Sequence, residues 1–361
     1  MPTRSYLLDR HQQECHSVPL YGLVEPRTVI VLLNWNGAQD TIECIQSLIR
    51  MEEQDFIIVL CDNNSADGSF EQLRTWGEIA FPGLFEIWNC TQAPPPTARF
   101  ILIQTGANLG FAGGCNVGLR YALLHTRAEF IWLLNNDTVV EAHSLGLQII
   151  AMQQRLETGI LGSTLIFFNE PDLIQTAGGY DFNFWTARVL PISKTLSLAS
   201  LPAERDIETR LKFISGASMF VRRSFLETVG LLNEQYFLYF EEIDWAVRGR
   251  DRFELGYCAS SRILHKEGKS IGSHRNVAQR SAFSEGYLAR NRVLFLKTYF
   301  PSRIPVCLAW IGFVGIVRVA RGQWKLAWTL WRGALQGLTA PIKPLPVVNE
   351  WPESMRQPPS N

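Results

Sequence analysis

A chain of 361 residues with 47% hydrophobic content can bury a sizeable core, which excludes an intrinsically disordered protein. Its 34 basic and 34 acidic side chains cancel, so no global charge points to nucleic acid. The seven cysteines are odd in number, scattered and never in a Cys-x-x-Cys pair, which argues against a disulfide framework or a zinc site and suits a reducing compartment.

Residues 1–26 carry Arg4, Asp9, Arg10 and Glu14 and lack a continuous apolar stretch, so they predict a loosely attached leader and not a secretory signal. Thr28 to Leu33 is β-branched and apolar on both parities, the pattern of a strand covered on both faces, and Gln39 to Arg50 reads as a helix. Phe56 to Cys61 repeats the strand pattern, stops at Asp62-Asn63-Asn64, and gives way to a helical stripe of Phe70, Leu73 and Trp76. Ile79 to Ala98, with Pro82-Gly83 and three prolines at 94–96, reads as an inserted surface loop. Arg99 to Gln104 predicts a third strand, Cys115 to Leu124 a helix, Phe130 to Leu134 a fourth strand, and Val140 the approximate start of another helix. This alternation of buried strands and helices predicts an α/β fold with a mostly parallel, doubly wound sheet and right-handed crossovers. Ile160 to Phe213 is less regular and is assigned to extra strands and an acceptor-side loop, followed by helices near Arg223–Val229, Glu242–Asp251 and Ala278–Tyr299.

In such a sheet the carboxyl ends of neighbouring strands share one crevice for ligand. Asp62, Asn63 and Asn64 offer acceptors and donors suited to a nucleobase imide and ribose hydroxyls, although the same residues equally make a local Asx-turn. Gly106, Gly110, Gly113 and Gly114, with Asn108 and Asn116, can form a phosphate-approach loop at a helix start, or serve only tight strand–helix packing. Their spacing matches neither a dinucleotide fingerprint nor an ATPase loop. Asp137, following Asn135 and Asn136 at the end of strand four, supplies the single carboxylate that Mg²⁺ needs beside a diphosphate; Asp137 or Thr138 also suits a helix N-cap. Glu241, Glu242 and Asp244 crowd three carboxylates at an apolar-to-helix transition, so at least one should have a raised pKa fit for a general base, while Asp244 can instead pair with Arg248 at i,i+4. His265 can complete a cation site, and Lys266 or Lys269 can offset phosphate charge. Trp35, Phe111 and Trp132 read as core or strand-end packing.

Six segments resemble, in order, the family-2 inverting glycosyltransferases, particularly the rhamnosyltransferase-like members. They are Asn34-Trp35-Asn36-Gly37, Asp62 to Ser69, Asn108 to Asn116, Leu134 to Thr138, Ser215 to Met219, and Tyr239 to Trp245. The resemblance spans about residues 28–300 and implies a GT-A fold, a nucleotide-diphosphate sugar donor (UDP- or dTDP-linked) and Mg²⁺ or Mn²⁺. It implies that Asp62 contacts the base and that Asn108 to Asn116, including Gly110, Phe111 and Gly114, line the nucleotide, with Asn34, Asn36, Asn64, Asn135 and Asn136 completing that site. Asp137 and His265 would hold the metal, His265 and Gly268 falling on the family's His-x-x-Gly element. Glu242 stands where the family usually has the Asp of a Glu-Asp pair, and Asn135 where it has a first metal-binding Asp. Glu242 is thus the expected base, with Glu241 and Asp244 as rivals, in a single displacement that inverts the anomeric carbon.

The expected organisation is a leader (1–26), a glycosyltransferase domain (27–300) and a basic, aromatic C-terminal segment (301–361). From Pro301 to Asn349 there is no Asp or Glu, whereas Arg303, Arg318, Arg321, Lys325, Arg332 and Lys343 are basic. Ile304 to Val317 is an uncharged run of 14 residues, short of the roughly 20 needed to span a bilayer, and Trp310, Trp324, Trp328 and Trp331 suit the headgroup region of an anionic leaflet. A helical hairpin packed on the catalytic domain is the competing reading of this segment. The expectation is a cytoplasmic enzyme, peripheral on the inner membrane face, acting on a saccharide or lipid-linked acceptor in cell-surface polysaccharide synthesis. A catalytically silent nucleotide-sugar-binding protein is the rival from another class, and a nucleotidyltransferase ranks last because no Arg/Lys-bearing glycine loop follows strand one.

Overall fold

The structure is a computed structural model that describes residues 26–89, 97–266 and 281–356. The leader lies outside these residues but for Pro26, as do Gly268 and Lys269. In chain order the first half comprises β1 (Thr28–Asn34), α1 (Ala38–Ile49), β2 (Phe56–Asp62), α2 (Ser69–Ala80), β3 (Phe85–Trp88), β4 (Phe100–Gln104), α3 (Gly110–His125), β5 (Phe130–Asn135), β6 (Thr138–Val140) and α4 (Ser144–Gln154). The second half comprises β7 (Thr158–Phe167), β8 (Glu170–Ala177), β9 (Gly179–Asn183), β10 (Arg188–Pro191), α5 (Glu204–Arg210), β11 (Phe213–Ile214), β12 (Ser218–Arg222), α6 (Arg223–Val229), α7 (Glu241–Gly249) and β13 (Glu254–His265). Helices α8 (Ala282–Tyr299), α9 (Ile304–Ala320), α10 (Trp324–Thr339) and α11 (Glu353–Arg356) close the chain.

The main sheet runs β3-β4-β2-β1-β5-β12-β7-β13-β6, with β8 paired to β7. β3 to β5 pair in parallel, as do β7 and β13, whereas β12, β6 and β8 enter antiparallel. The both-parities apolar pattern of β1 has a direct cause: Val29 and Val31 pack in one layer with Val117 and Leu119 of α3, and Ile30 and Leu32 in the other with Ile45 and Leu48 of α1. Each such fully buried side chain contributes about 1.5–3 kcal/mol. A third core joins the small sheet β10-β9-β11 to α7, α8, α9 and α10.

Three expectations need correction. The supposed loop before the third strand contains β3, whose Phe85 to Trp88 pair with Phe100 to Ile103 of β4. No helix begins at Val140; Thr138–Val140 is instead a strand, paired with Ile263 to His265 far along the chain. The uncharged run after Pro301 belongs to a longer helical stretch, Pro301–Ala320, of 20 residues, long and apolar enough to cross a membrane by length and composition. This stretch packs within a three-helix layer, since Cys307 and Ile311 of α9 and Leu330 and Ala334 of α10 join the third core with α8.

Candidate functional site

Parallel pairing of β4, β2, β1 and β5 brings their carboxyl ends side by side, and direct hydrogen bonds tie the following turns together. Asn34 Nδ2 donates to Asp62 Oδ2 at 2.7 Å, linking the ends of β1 and β2. Asn63 Nδ2 donates to Asn108 Oδ1 at 3.0 Å, linking β2 to the turn after β4. Asn136 Nδ2 reaches Thr41 Oγ1 at 2.9 Å and Asn34 Oδ1 at 3.4 Å, linking β5 to β1. Asn135 N donates to Ala217 O at 3.0 Å, extending the rim to the turn before β12. The carboxylate of Glu242 lies on that turn, and a methyl group at Gly216 would overlap its Oε1.

Asp62 is fully buried. Its carboxylate accepts from Asn34, from Ser65 N at 3.0 Å and from Ser65 Oγ at 2.7 Å, which makes it the organiser of an Asx-turn enclosed by protein groups. Asn36 and Asn64 sit on either side with φ of 54° and 57°, and Asn36 Oδ1 accepts from Ala66 N at 2.9 Å. Asn64 and Asn108 are exposed.

The glycine-rich segment bonds and packs within the protein. α3 begins at Gly110, and its first free amides are taken by the protein: Leu109 N donates to Asn63 Oδ1 at 3.0 Å, Gly110 N to Asn108 Oδ1 at 3.0 Å, and Phe111 N to the carbonyl of Phe237 at 2.6 Å. Gly110, with φ of 71°, makes room for the backbone of Phe237, and a Cβ at Gly114 would overlap Leu33 of β1. The tight-packing alternative accounts for both glycines. Asn116 is likewise turned into the core: its amide accepts from Leu232 N at 3.0 Å and donates to Leu232 O at 2.8 Å and Glu234 Oε1 at 2.9 Å, so both its donors are engaged within the protein. Phe111 is partly buried against the core around α3, in keeping with a packing role.

The three clustered carboxylates differ sharply. Asp244, fully buried, accepts from Arg248 Nε at 2.8 Å, Tyr299 OH at 2.7 Å, Tyr236 OH at 3.3 Å and Asn233 Nδ2 at 3.4 Å. It is a structural anchor and drops out as a rival base. Glu241 is 1% exposed and its Oε2 has no hydrogen-bond partner among the described residues. Burial, and then the charge of Glu242, hold its pKa well above the ordinary carboxylate range. For Glu242, burial raises the pKa to about 7 although the backbone amides of Glu242, Gly216 and Phe240 favour the charged form. A carboxylate titrating there is matched to proton abstraction near neutral pH.

The preceding loop is strained: Phe237, Tyr239 and Phe240 have φ of 64°, 68° and 79°. Each such residue costs about 1–3 kcal/mol and persists only where surrounding structure imposes it. Asn291 of α8 does so, its Nδ2 lying 2.8, 2.8 and 2.9 Å from the carbonyls of Tyr236, Leu238 and Tyr239. Asn291 and the roles of Thr41, Ser65 and Gly216 escaped sequence reasoning, because each acts through a partner distant in the chain or through a turn geometry.

Asp137 and His265, from the ends of β5 and β13, meet at 3.2 Å between Oδ1 and Nε2, and Gln175 holds His265 Nδ1 at 2.8 Å. Among the described residues no group of three or more His, Cys, Asp or Glu gathers as a metal cage. One carboxylate and one imidazole nevertheless fit a divalent ion that takes its remaining oxygens from diphosphate and water. Lys266 is engaged by Asp40, at 2.7 Å, and by Glu43, so its charge is compensated locally.

The family profile described as Glycosyl transferase family 2 matches residues 29–230. A curated relative, the low-salt glycan biosynthesis hexosyltransferase Agl10 of Haloferax volcanii, is 25% identical over 177 residues, 46% of this chain and 51% of that protein. The chain thus spans about half the length of the curated relative it matches. Among solved structures, the mannosyltransferase PcManGT from Pyrobaculum calidifontis, in complex with GDP-Man and Mn²⁺, superposes with a TM-score of 0.50 at 12% identity, covering 88% of each chain. That likeness concerns the fold, which is the mainly parallel GT-A architecture with added C-terminal helices.

Proposed function

The chain belongs to glycosyl transferase family 2, and from that premise we propose that it is an inverting glycosyltransferase whose general base is Glu242. The observation that carries this reading is the Glu242 carboxylate, raised to a pKa of about 7 and lying on the Gly216 turn of the rim that also bears Asp137. The donor is a nucleotide-diphosphate sugar, UDP- or dTDP-linked on the resemblance, and the sugar a hexose or deoxyhexose such as rhamnose. The hexosyltransferase relative and the GDP-Man-bound mannosyltransferase support a nucleotide sugar in general.

In the reaction, Glu242 takes the proton of an acceptor hydroxyl as that oxygen bonds to the anomeric carbon from the face opposite the diphosphate. The bond from the anomeric carbon to the diphosphate breaks, configuration inverts, and the nucleoside diphosphate leaves. Asp137 and His265 would hold Mg²⁺ or Mn²⁺, which when bound offsets the negative charge of the departing diphosphate. Asn36, Asn64, Asn108 and Asn136 remain the proposed nucleotide-sugar contacts, while Asn34, Asp62 and Asn63 brace the turns that present them. The C-terminal helices are proposed to rest on an anionic membrane surface, from which a lipid-linked acceptor for polysaccharide synthesis is drawn. Incubation with a panel of UDP-, dTDP- and GDP-sugars and Mn²⁺, read as released nucleoside diphosphate, tests the activity. Release with at least one donor, abolished in Glu242→Gln, is expected; no release from any donor would favour a silent sugar-binding protein.

A further inference from the structure

The directions of the last three helices set which end of α8 the turn between α9 and α10 adjoins. α10 runs parallel to α8: Gly286 faces Thr329, Gly333 packs on Gly286 and Ala289, Gly337 on Arg290 and Val293, and Lys297 Nζ donates to the carbonyls of Leu338 at 2.7 Å and Ala340 at 2.9 Å. α9 runs the opposite way. Its Arg318, near the C-terminus, pairs with Glu285 in the first turn of α8 at 2.9 Å, while Arg303, just before α9, lies over the ring of Phe300 at 4.5 Å, beyond the last turn of α8. The turn between α9 and α10 therefore stands at the N-terminal end of α8. With 18 residues, α8 is about 27 Å long, so its two ends are well separated.

That same end of α8 is bound to the loop leading into Glu242. Tyr239 OH donates to Ser284 Oγ at 3.3 Å, and the ring of Phe237 stacks on Tyr287 at 5.1 Å. Phe283, 52% exposed, lies 4.9 Å from Tyr287 and 6.5 Å from Phe237, beside the loop that leads into Glu242.

The outward face of the helical pair is apolar at helical spacing. Phe313 and Ile316 of α9 and Trp324 and Trp328 of α10, 57–66% exposed, cluster towards the turn between the two helices, while Val306, Trp331 and Leu335 continue the face away from it. Exposed Arg321, Lys325 and Arg332 flank this face, in a stretch that lacks any acidic residue from Pro301 to Asn349. Apolar and indole side chains flanked by these cations complement an anionic lipid surface.

Building on the membrane contact proposed above, we propose that α9 and α10 seat the enzyme on an anionic bilayer with the N-terminal end of α8, and hence the mouth of the Glu242 crevice, at the lipid surface. The acceptor class that follows is an amphiphile whose reacting hydroxyl lies at the headgroup level while its apolar part stays in the bilayer. The exposed ring of Phe283 would be the first crevice residue to meet it.

The test uses the full chain with Cys15 and Cys90 replaced by Ser and one polarity-sensitive dye attached at a time, through Trp324→Cys, Phe283→Cys or Thr75→Cys. Thr75 is exposed on α2, a helix in the layer opposite α3. Vesicles of phosphatidylglycerol mixed equally with phosphatidylcholine are compared with phosphatidylcholine alone, and pelleting of unlabelled protein is followed in parallel. Expected are blue-shifted emission at 324 and 283 with the anionic vesicles only, no shift at 75, and at least a tenfold loss of pelleting in the Arg321→Glu, Lys325→Glu double variant. A shift at 324 with the dye at 283 still in water would overturn the orientation and leave the membrane contact standing. No pelleting and no shift anywhere would remove the contact and the orientation together, leaving the donor reaction, measured without vesicles, untouched.

Discussion

The turn at Asp62 and the turn at Glu241–Glu242 are both acidic and both at the sheet's rim, Asp62 and Glu241 buried and Glu242 half-buried, yet they are opposites in their hydrogen bonding. At Asp62 the carboxylate is met by Asn34 and two groups of Ser65. At Glu241 one oxygen has no partner among the described residues, and at Glu242 burial outweighs the amides that face the carboxylate, leaving its pKa near 7. A satisfied buried carboxylate fixes geometry; an under-compensated one is held ready for a proton. On this contrast the proposed roles are scaffold for Asp62 and general base for Glu242, although residue types alone suggest function for both.

The sharpest way to break this contrast is Glu242→Gln, expected to lower transfer about a hundred- to ten-thousandfold with the far-ultraviolet spectrum unchanged. Near-full activity would return Glu242 to structure. Asp137→Ala should lower kcat/KM about a hundredfold or more and weaken the response to added Mn²⁺; an unchanged metal response would detach Asp137 from the proposed ion site. Asp244→Ala removes the partner of a buried guanidinium, so a loss of about 3–5 kcal/mol is expected in urea unfolding, and a loss below about 1 kcal/mol would contradict its role as anchor. Gly114→Ala should cost about 1–3 kcal/mol through overlap with Leu33, with a fall in activity that tracks the loss of fold; a selective loss of donor affinity in a stable protein would restore the phosphate-loop reading.

Linkage gives the smallest effect. The carboxyl of Glu242 has a folded pKa above its ordinary 4.5, so the stability gained from its protonated form is fully present below about 4.5 and is lost as pH rises through about 7. Glu242→Gln should therefore match the wild type in urea midpoint near pH 4.5 and exceed it at pH 8. The opposite trend would show that the charged form is the one the fold favours.

The rim was legible in the sequence wherever an apolar strand ended abruptly in Asn or Asp. Those turns lie one after another along parallel strands, so local pattern and spatial neighbourhood coincide. Legibility stopped where one residue type serves two purposes. A glycine run looks alike whether it admits a phosphate or a neighbouring strand, and the contacts that favour packing, such as the carbonyl of Phe237 against Phe111 N and Leu33 against Gly114, come from residues distant in the chain. It also stopped at long-range pairing: β6 exists because Thr138 to Val140 find β13, and the parallel course of α8 and α10 rests on glycine contacts at 286, 333 and 337 that no periodicity announces.

The central claim is most directly tested by the pH dependence of kcat/KM for nucleoside diphosphate release in the wild type and in Glu241→Gln and Glu242→Gln. The account predicts a wild-type rate that falls tenfold per pH unit below about 7 and is level above it, the same shape in Glu241→Gln with a shifted midpoint, and no such limb in the residual rate of Glu242→Gln. A limb near 7 that survives in Glu242→Gln would place the base elsewhere.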